Sequence, residues 1–224
     1  MSPWDNETMS APWREDNQIP LWERILTALP RAFVQGIDTV LRRVTHVQEF
    51  TDDKHCLLRI AMVKSNCDIT LSDGTKVAKG ETIGELHLWN EHIPPMPRGG
   101  PDFAWGVRAY SPLVRSFRLL AHYVATHPEW SHIRAWHGES SFLPKGIGVP
   151  EFFSRLGFDV VRQENPTSFL HRFVDFWENF YWWMLAWTFN PASLKRKELL
   201  KMERWEVWLS AAKLQEKYGD RHKA

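Results

Sequence analysis

The chain has 224 residues, 43% of them hydrophobic, which is long and apolar enough for one sizeable core. Lys and Arg total 28 against 27 Asp and Glu, so the charge balance gives no electrostatic reason to expect nucleic acid as the main partner. Two cysteines, Cys56 and Cys67, argue against a disulfide framework and against a cysteine-rich zinc site.

In chain order, residues 1–18 carry four acids and one base and read as a disordered acidic tail. They offer neither a basic n-region nor an apolar h-region, which argues against a secretory signal and for a cytoplasmic chain. Residues 19–165 read as an α+β core. It opens with one or two helices over 21–47, with Ile25, Leu29, Phe33, Ile37 and Leu41 as the apolar stripe and a break near Pro30. Strands are predicted at Leu57–Val63, Ile69–Leu71 and Ile83–Trp89, with turns at Ser72-Asp73-Gly74-Thr75 and Lys79-Gly80-Glu81. Glu91–Tyr110, rich in proline and glycine, reads as a long loop suited to be a lid or a binding loop. Ser111-Pro112 marks the start of a helix whose buried stripe is Leu113, Phe117, Leu120 and Val124, and His127-Pro128 ends it. A strand at Ile133–His137, a short helix at Val149–Leu156 closed by Gly157, and a strand at Phe158–Arg162 complete the core.

Residues 166–224 read as a tryptophan-rich helical extension, packed on the core or at an interface. Of the 13 tryptophans, Trp177, Trp182, Trp183 and Trp187 fall in and beside the uncharged run FYWWMLAWTF, residues 180–189. That run is about half of the roughly 20 residues a spanning helix needs. Upstream, His171, Asp175, Glu178 and Asn179 lie opposite Phe169, Phe173, Phe176 and Phe180 at helical spacing. One reading is an interfacial helix, with Trp rings at headgroup depth and Lys195, Arg196 and Lys197 facing anionic lipid or a partner. The other is a core or dimer helix. From Pro191 on, nine bases stand against five acids, which suits an anionic surface or a solvated helix face.

The blocks LLRIAMVK, LSDGTKVAKGETIGELHLWN and RLGF, with Trp205, Trp208, Ala212, Lys213, Leu214 and Tyr218 near the end, resemble the YkoP-like domain family over roughly residues 55–219. That family occurs alone or attached to polysaccharide deacetylase domains, so the resemblance implies a setting in envelope polysaccharide or lipid metabolism. The order of elements also resembles the GCN5-related acetyltransferases: strands, the helix 111–126, the strand before Gly138, then EFFSRLGFDVV (151–161). This second resemblance implies a mixed, acetyltransferase-like sheet flanked by helices and an acyl-CoA cofactor. The glycine-rich turn that would hold the cofactor's pyrophosphate is absent from Arg108-Ala109-Tyr110-Ser111-Pro112, and Arg98-Gly99-Gly100 stands more than ten residues before Leu113.

Glu85 and His87 are the leading candidates for chemistry, because alternate strand residues share a face and set a carboxylate beside an imidazole. The plainer reading is an ion pair on a half-exposed sheet face. An acetyltransferase-like splay would bring His137 and Glu139 to the same place as further catalytic candidates, with Asn90, His92, Trp136 and Ser140 as substrate contacts. His87, His92 and His137 do not follow a helix-borne metal motif, and no metal is expected. Three functions are expected from these readings. The first is binding of a lipid- or glycan-linked envelope intermediate at the inner membrane face. The second is acyl transfer to an amine or hydroxyl, and the third is non-catalytic dimerisation or partner docking.

Overall fold

The computed structural model describes residues 36, 45–97, 102–140, 149–162, 183–185, 188 and 205–219. Among the described residues the strands are β1 (Leu58–Lys64), β2 (Ile69–Thr70), β3 (Lys76–Val77), β4 (Thr82–Leu88), β5 (Ala135–Ser140), β6 (Asp159–Arg162) and β7 (Trp205–Ser210). The α-helices whose bounds fall among them are α1 (Phe103–Thr126), α2 (Val149–Arg155) and α3 (Ala211–Tyr218). Five strands form one mixed sheet in the order β1-β4-β5-β7-β6, and β2 and β3 form a separate hairpin. Among the described strands of this sheet only the β4–β5 pair is parallel; β1–β4, β5–β7 and β6–β7 are antiparallel. The α+β class expected from the sequence is therefore the class observed.

The alternation of each strand divides the sheet into two faces. Leu58, Ile60, Leu86, Trp136, Val207 and Leu209 pack with Phe117, Leu120 and Ala121 of α1 and Leu214 and Tyr218 of α3, which makes the main core. Each large apolar side chain enclosed there contributes on the order of 1.5–3 kcal/mol. On the opposite face, Leu71 and Val77 of the hairpin region cover Ile83, Ala135 and Trp208. The hairpin turns at Gly74, whose φ of 85° suits a residue without Cβ. It is pinned by the Ser72 amide, which donates to Asp159 Oδ2 (2.9 Å), and by Lys213 Nζ, which donates to Ser72 Oγ (2.6 Å).

Two elements differ from expectation. The long helix begins at Phe103 and not at Ser111, because the Asp102 carboxylate caps it by accepting from the Trp105 amide at 2.6 Å. Pro112 thus sits inside α1. One turn later the Ser116 hydroxyl donates to Pro112 O and accepts from the Leu57 amide, both at 2.7 Å, tying the helix to the start of β1. Most of the expected loop from Phe103 onward is therefore helix, and Gly99-Gly100 stand shortly before its start in sequence. The second difference lies in the segment read as a helical extension: Trp205–Ser210 is an inner strand, with β5 on one side and β6 on the other. Side chains alternate along WEVWLS, and Val207 and Leu209 go to the core while Glu206 and Trp208 go to the other face.

The expected tail at 1–18 and most of the helical lead over 21–47 lie outside the described residues. So do Trp177, Trp182, Trp187, Lys195, Arg196 and Lys197. Trp183, Met184, Leu185 and Thr188 are helical; Leu185 and Thr188 are buried, Trp183 and Met184 half-buried. No helix among the described residues is long and apolar enough to cross a membrane.

Candidate functional site

The sheet face that carries the hairpin is apolar at one end and polar at the other. Towards the C-terminal ends of the parallel pair, β4 presents Glu85 and His87 and β5 presents His137 and Glu139, with Glu85 directly opposite His137. On the far side of β5, Trp208 stands opposite His137 and Glu206 opposite Glu139. Three neighbouring strands therefore bring Glu85, His87, His137 and Glu206 together.

His87 Nε2 lies 2.9 Å from Glu85 Oε2, with the two side chains 29% and 27% exposed. This buried Nε2 makes no hydrogen bond of good geometry, and the contact with Glu85 is an ion pair only where His87 carries a proton. His137 is buried, its ring 4.5 Å from that of Trp208 and its Nε2 3.8 Å from Glu206 Oε2, and this Nε2 also lacks a hydrogen-bond partner. Trp208 Nε1 donates to Glu206 Oε2 at 3.4 Å. Buried polar atoms are ordinarily satisfied, so the buried His137 Nε2, which has no hydrogen-bond partner, and His87 Nε2, which has only the poorly aligned Glu85 carboxylate, call for an explanation.

The electrostatics separate the groups. Burial works to raise the Glu85 carboxyl, but the adjacent His87 imidazole, with His137 adding to it, outweighs burial and leaves it below the usual carboxylate range. Burial pushes the His137 imidazole below its ordinary value, against the opposing pull of Glu206 and then Glu85. At neutral pH the site thus holds an ionised carboxylate beside a neutral, hydrogen-bond-accepting imidazole. This combination can accept a proton from a hydroxyl or amine, or bind one without reacting.

The other sequence-predicted residues are placed as follows. Glu139 is exposed, at the strand end beyond His137. Trp136 is fully buried on the opposite face, stacked on Trp130 at 5.6 Å, and does not reach the cluster. Asn90 and His92 form a short 3-10 turn after β4. His92 Nδ1 is 2.8 Å from Cys56 O and its ring stacks on Trp89 at 3.9 Å, so it anchors the turn. Ser140 ends β5. Arg59, opposite His87 on β1, lies 4.4 Å over the Trp89 ring and pairs with Glu49 (2.9 Å) and Glu91 (3.3 Å). Arg115 on α1 donates from Nε to Asp53 Oδ2 at 2.7 Å. Sequence reasoning missed Glu206; the signal that could have found it is the β-favouring aromatic and β-branched content of WEVWLS, where Trp205, Val207 and Leu209 recur at every second position.

A mixed five-stranded sheet, backed by one long helix and carrying a Glu/His cluster on its other face, defines this chain as an α+β protein with a polar site built on rigid strands. Its sequence matches the YkoP domain family over residues 29–218, and the chain belongs to that family. It is 26% identical over 132 residues to "Uncharacterized protein YkoP" of Bacillus subtilis (strain 168), a match spanning 58% of this chain and 68% of that protein. No solved structure matches it.

Proposed function

We propose that this YkoP-family chain binds a lipid- or glycan-linked envelope intermediate at the inner membrane face, on the polar half of the β4–β5–β7 surface, with Glu85 as hydrogen-bond acceptor. One observation carries the reading: two buried imidazole nitrogens without aligned partners stand beside a carboxylate held ionised. Placement on strands supports it, because rigid elements hold a site's geometry better than loops. The envelope setting rests on the family resemblance, and the membrane-facing surface is the tryptophan set of residues 177–187 with Lys195, Arg196 and Lys197. The test is a ligand screen by thermal shift and NMR on wild type, Glu85→Gln and His87→Ala. The reading expects folded variants that lose the ligand response, and a response unchanged in both variants would end it. Sedimentation with anionic vesicles tests the location separately.

Acyl transfer is the second reading, favoured by the parallel pair β4–β5 within a sheet whose other described pairs are antiparallel. At the start of α1, where the pyrophosphate of its cofactor would have to bind, the Asp102 carboxylate caps the Trp105 amide and sets a negative charge. The residues described there do not fit acyl-CoA. Calorimetric titration with acetyl-CoA decides the matter, and absence of binding removes this reading.

A further inference from the structure

The polar half of the sheet face is short of positive charge. Glu85 and Glu206 are both largely enclosed, their side chains 27% and 13% exposed, yet among the described residues neither pairs with a lysine or arginine. The cationic partners within reach are imidazoles, His87 at 2.9 Å from Glu85 and His137 at 3.8 Å from Glu206; Glu206 also accepts from Trp208 Nε1 at 3.4 Å, lies near the Cys67 thiol and stands opposite Glu139. Arg59, on the same face of β1, is already engaged by Glu49 and Glu91. Lys213 is engaged at the hairpin end by Ser72 and by Asp159 at 3.6 Å. His137, 7% exposed, stands between the two carboxylates with its Nε2 buried and unpartnered.

We propose that this face takes a primary ammonium group, the amine of a small sugar or of a lipid headgroup, seated over His137 between Glu85 and Glu206. The inference rests on the site reading above and names the ligand's chemical class. An ammonium carries three N–H donors, and the face offers three acceptor groups for them: the Glu85 carboxylate, the Glu206 carboxylate and, in the tautomer that leaves it without a proton, the His137 Nε2. Charge-assisted hydrogen bonds to both carboxylates would supply the missing cation. Burial favours the neutral form of the His137 imidazole. A phosphate would meet two carboxylates, and a quaternary ammonium has no N–H to give. A metal ion is disfavoured, since no three His, Cys, Asp or Glu side chains among the described residues converge in metal-binding geometry.

The experiment follows the His87 and His137 ring resonances of the full chain at pH 7. One arm compares D-glucosamine with N-acetylglucosamine, and the other compares vesicles containing phosphatidylethanolamine with phosphatidylcholine vesicles. The expected result is that one amine probe shifts both rings, identifying a sugar or a lipid source. Its N-acetyl or quaternary counterpart leaves the rings unmoved, and Glu206→Gln weakens the response about tenfold, as loss of one charge-assisted bond predicts. As a check on folding, Glu206→Gln is expected to melt close to wild type, because the glutamine carbonyl can keep the bond from Trp208 Nε1. Shifts caused equally by N-acetylglucosamine, or by zinc or inorganic phosphate without either amine, would overturn the ammonium assignment and leave the site standing. If no probe moves either ring, both fall.

Discussion

Replacing Gly84 by alanine tests how tightly the parallel pair is built. A Cβ on Gly84 would lie 2.3 Å from Trp136 Cε3, 2.5 Å from Cζ3 and 2.8 Å from Cδ2, against an optimal carbon separation of about 3.5–4.0 Å. The ring has nowhere to go: Trp136 is fully buried and lies nearly parallel to Trp130, itself buried, with centroids 5.6 Å apart. Gly84 is opposite Trp136 in the β4–β5 register, so relief requires the strands to part beside Glu85. Overpacking of this kind costs typically 1–3 kcal/mol, and a fixed ring against backbone places the cost near about 3 kcal/mol. Alanine regains about 0.5–1 kcal/mol in backbone entropy. The net loss is then about 2–2.5 kcal/mol, or about 4–10 °C in Tm at about 2–4 °C per kcal/mol for a chain of this size. Urea and thermal denaturation read it directly, and in Gly84→Ala/Trp136→Leu the two changes are expected to couple by more than about 1 kcal/mol. A midpoint equal to or above wild type would refute the close packing of β4 on β5.

Two further outcomes are expected. For pH, His137 is depressed from its ordinary 6.5, so the unfolded chain takes up a proton where the folded one does not. Its stabilisation is full above pH 6.5 and is lost as the pH falls from there towards the folded value. Glu85 is depressed from 4.5, so its share is full above 4.5 and is lost as the pH falls through its lower folded value. Denaturation curves across this range should show two losses, and His137→Gln should remove the one at higher pH. Ser116→Ala strands the buried Leu57 amide, whose acceptor is the Ser116 hydroxyl at 2.7 Å, and should cost about 1–3 kcal/mol by chemical denaturation.

The strands of the first half were legible because their signals are local. LLRIAMV and IGELHLW carry β-branched and apolar residues between turn residues, and β1 and β4 fall within a residue or so of expectation. The start of α1 was misplaced because Ser111-Pro112 reads as a cap and first turn, while the actual cap, Asp102, follows a Gly-Gly-Pro run that reads as loop. β7 was missed for a different reason: WEVWLS lies between stretches rich in Lys, Glu and Leu, whose helical preference masks a six-residue strand. Losing β7 also lost Glu206, although Glu85, His87 and His137 could be named from their strands alone. Trp136 was assigned to the cleft because it adjoins His137 in sequence, yet adjacent strand residues face opposite ways and its ring belongs to the core.

The placement of β7 bears on how the chain is made. During synthesis β5 emerges well before its antiparallel partner, and β6, made next, has no neighbour to pair with until 205–210 arrives between them. Until then two strand edges stand open and Glu206 is missing from the cluster, a period in which the nascent chain is exposed to wrong pairing. Assembly of the sheet and completion of the Glu85/His137/Glu206 set are thus one late event, and a nascent chain stopped before residue 205 carries Glu85 and His137 without the strand that joins them to Glu206.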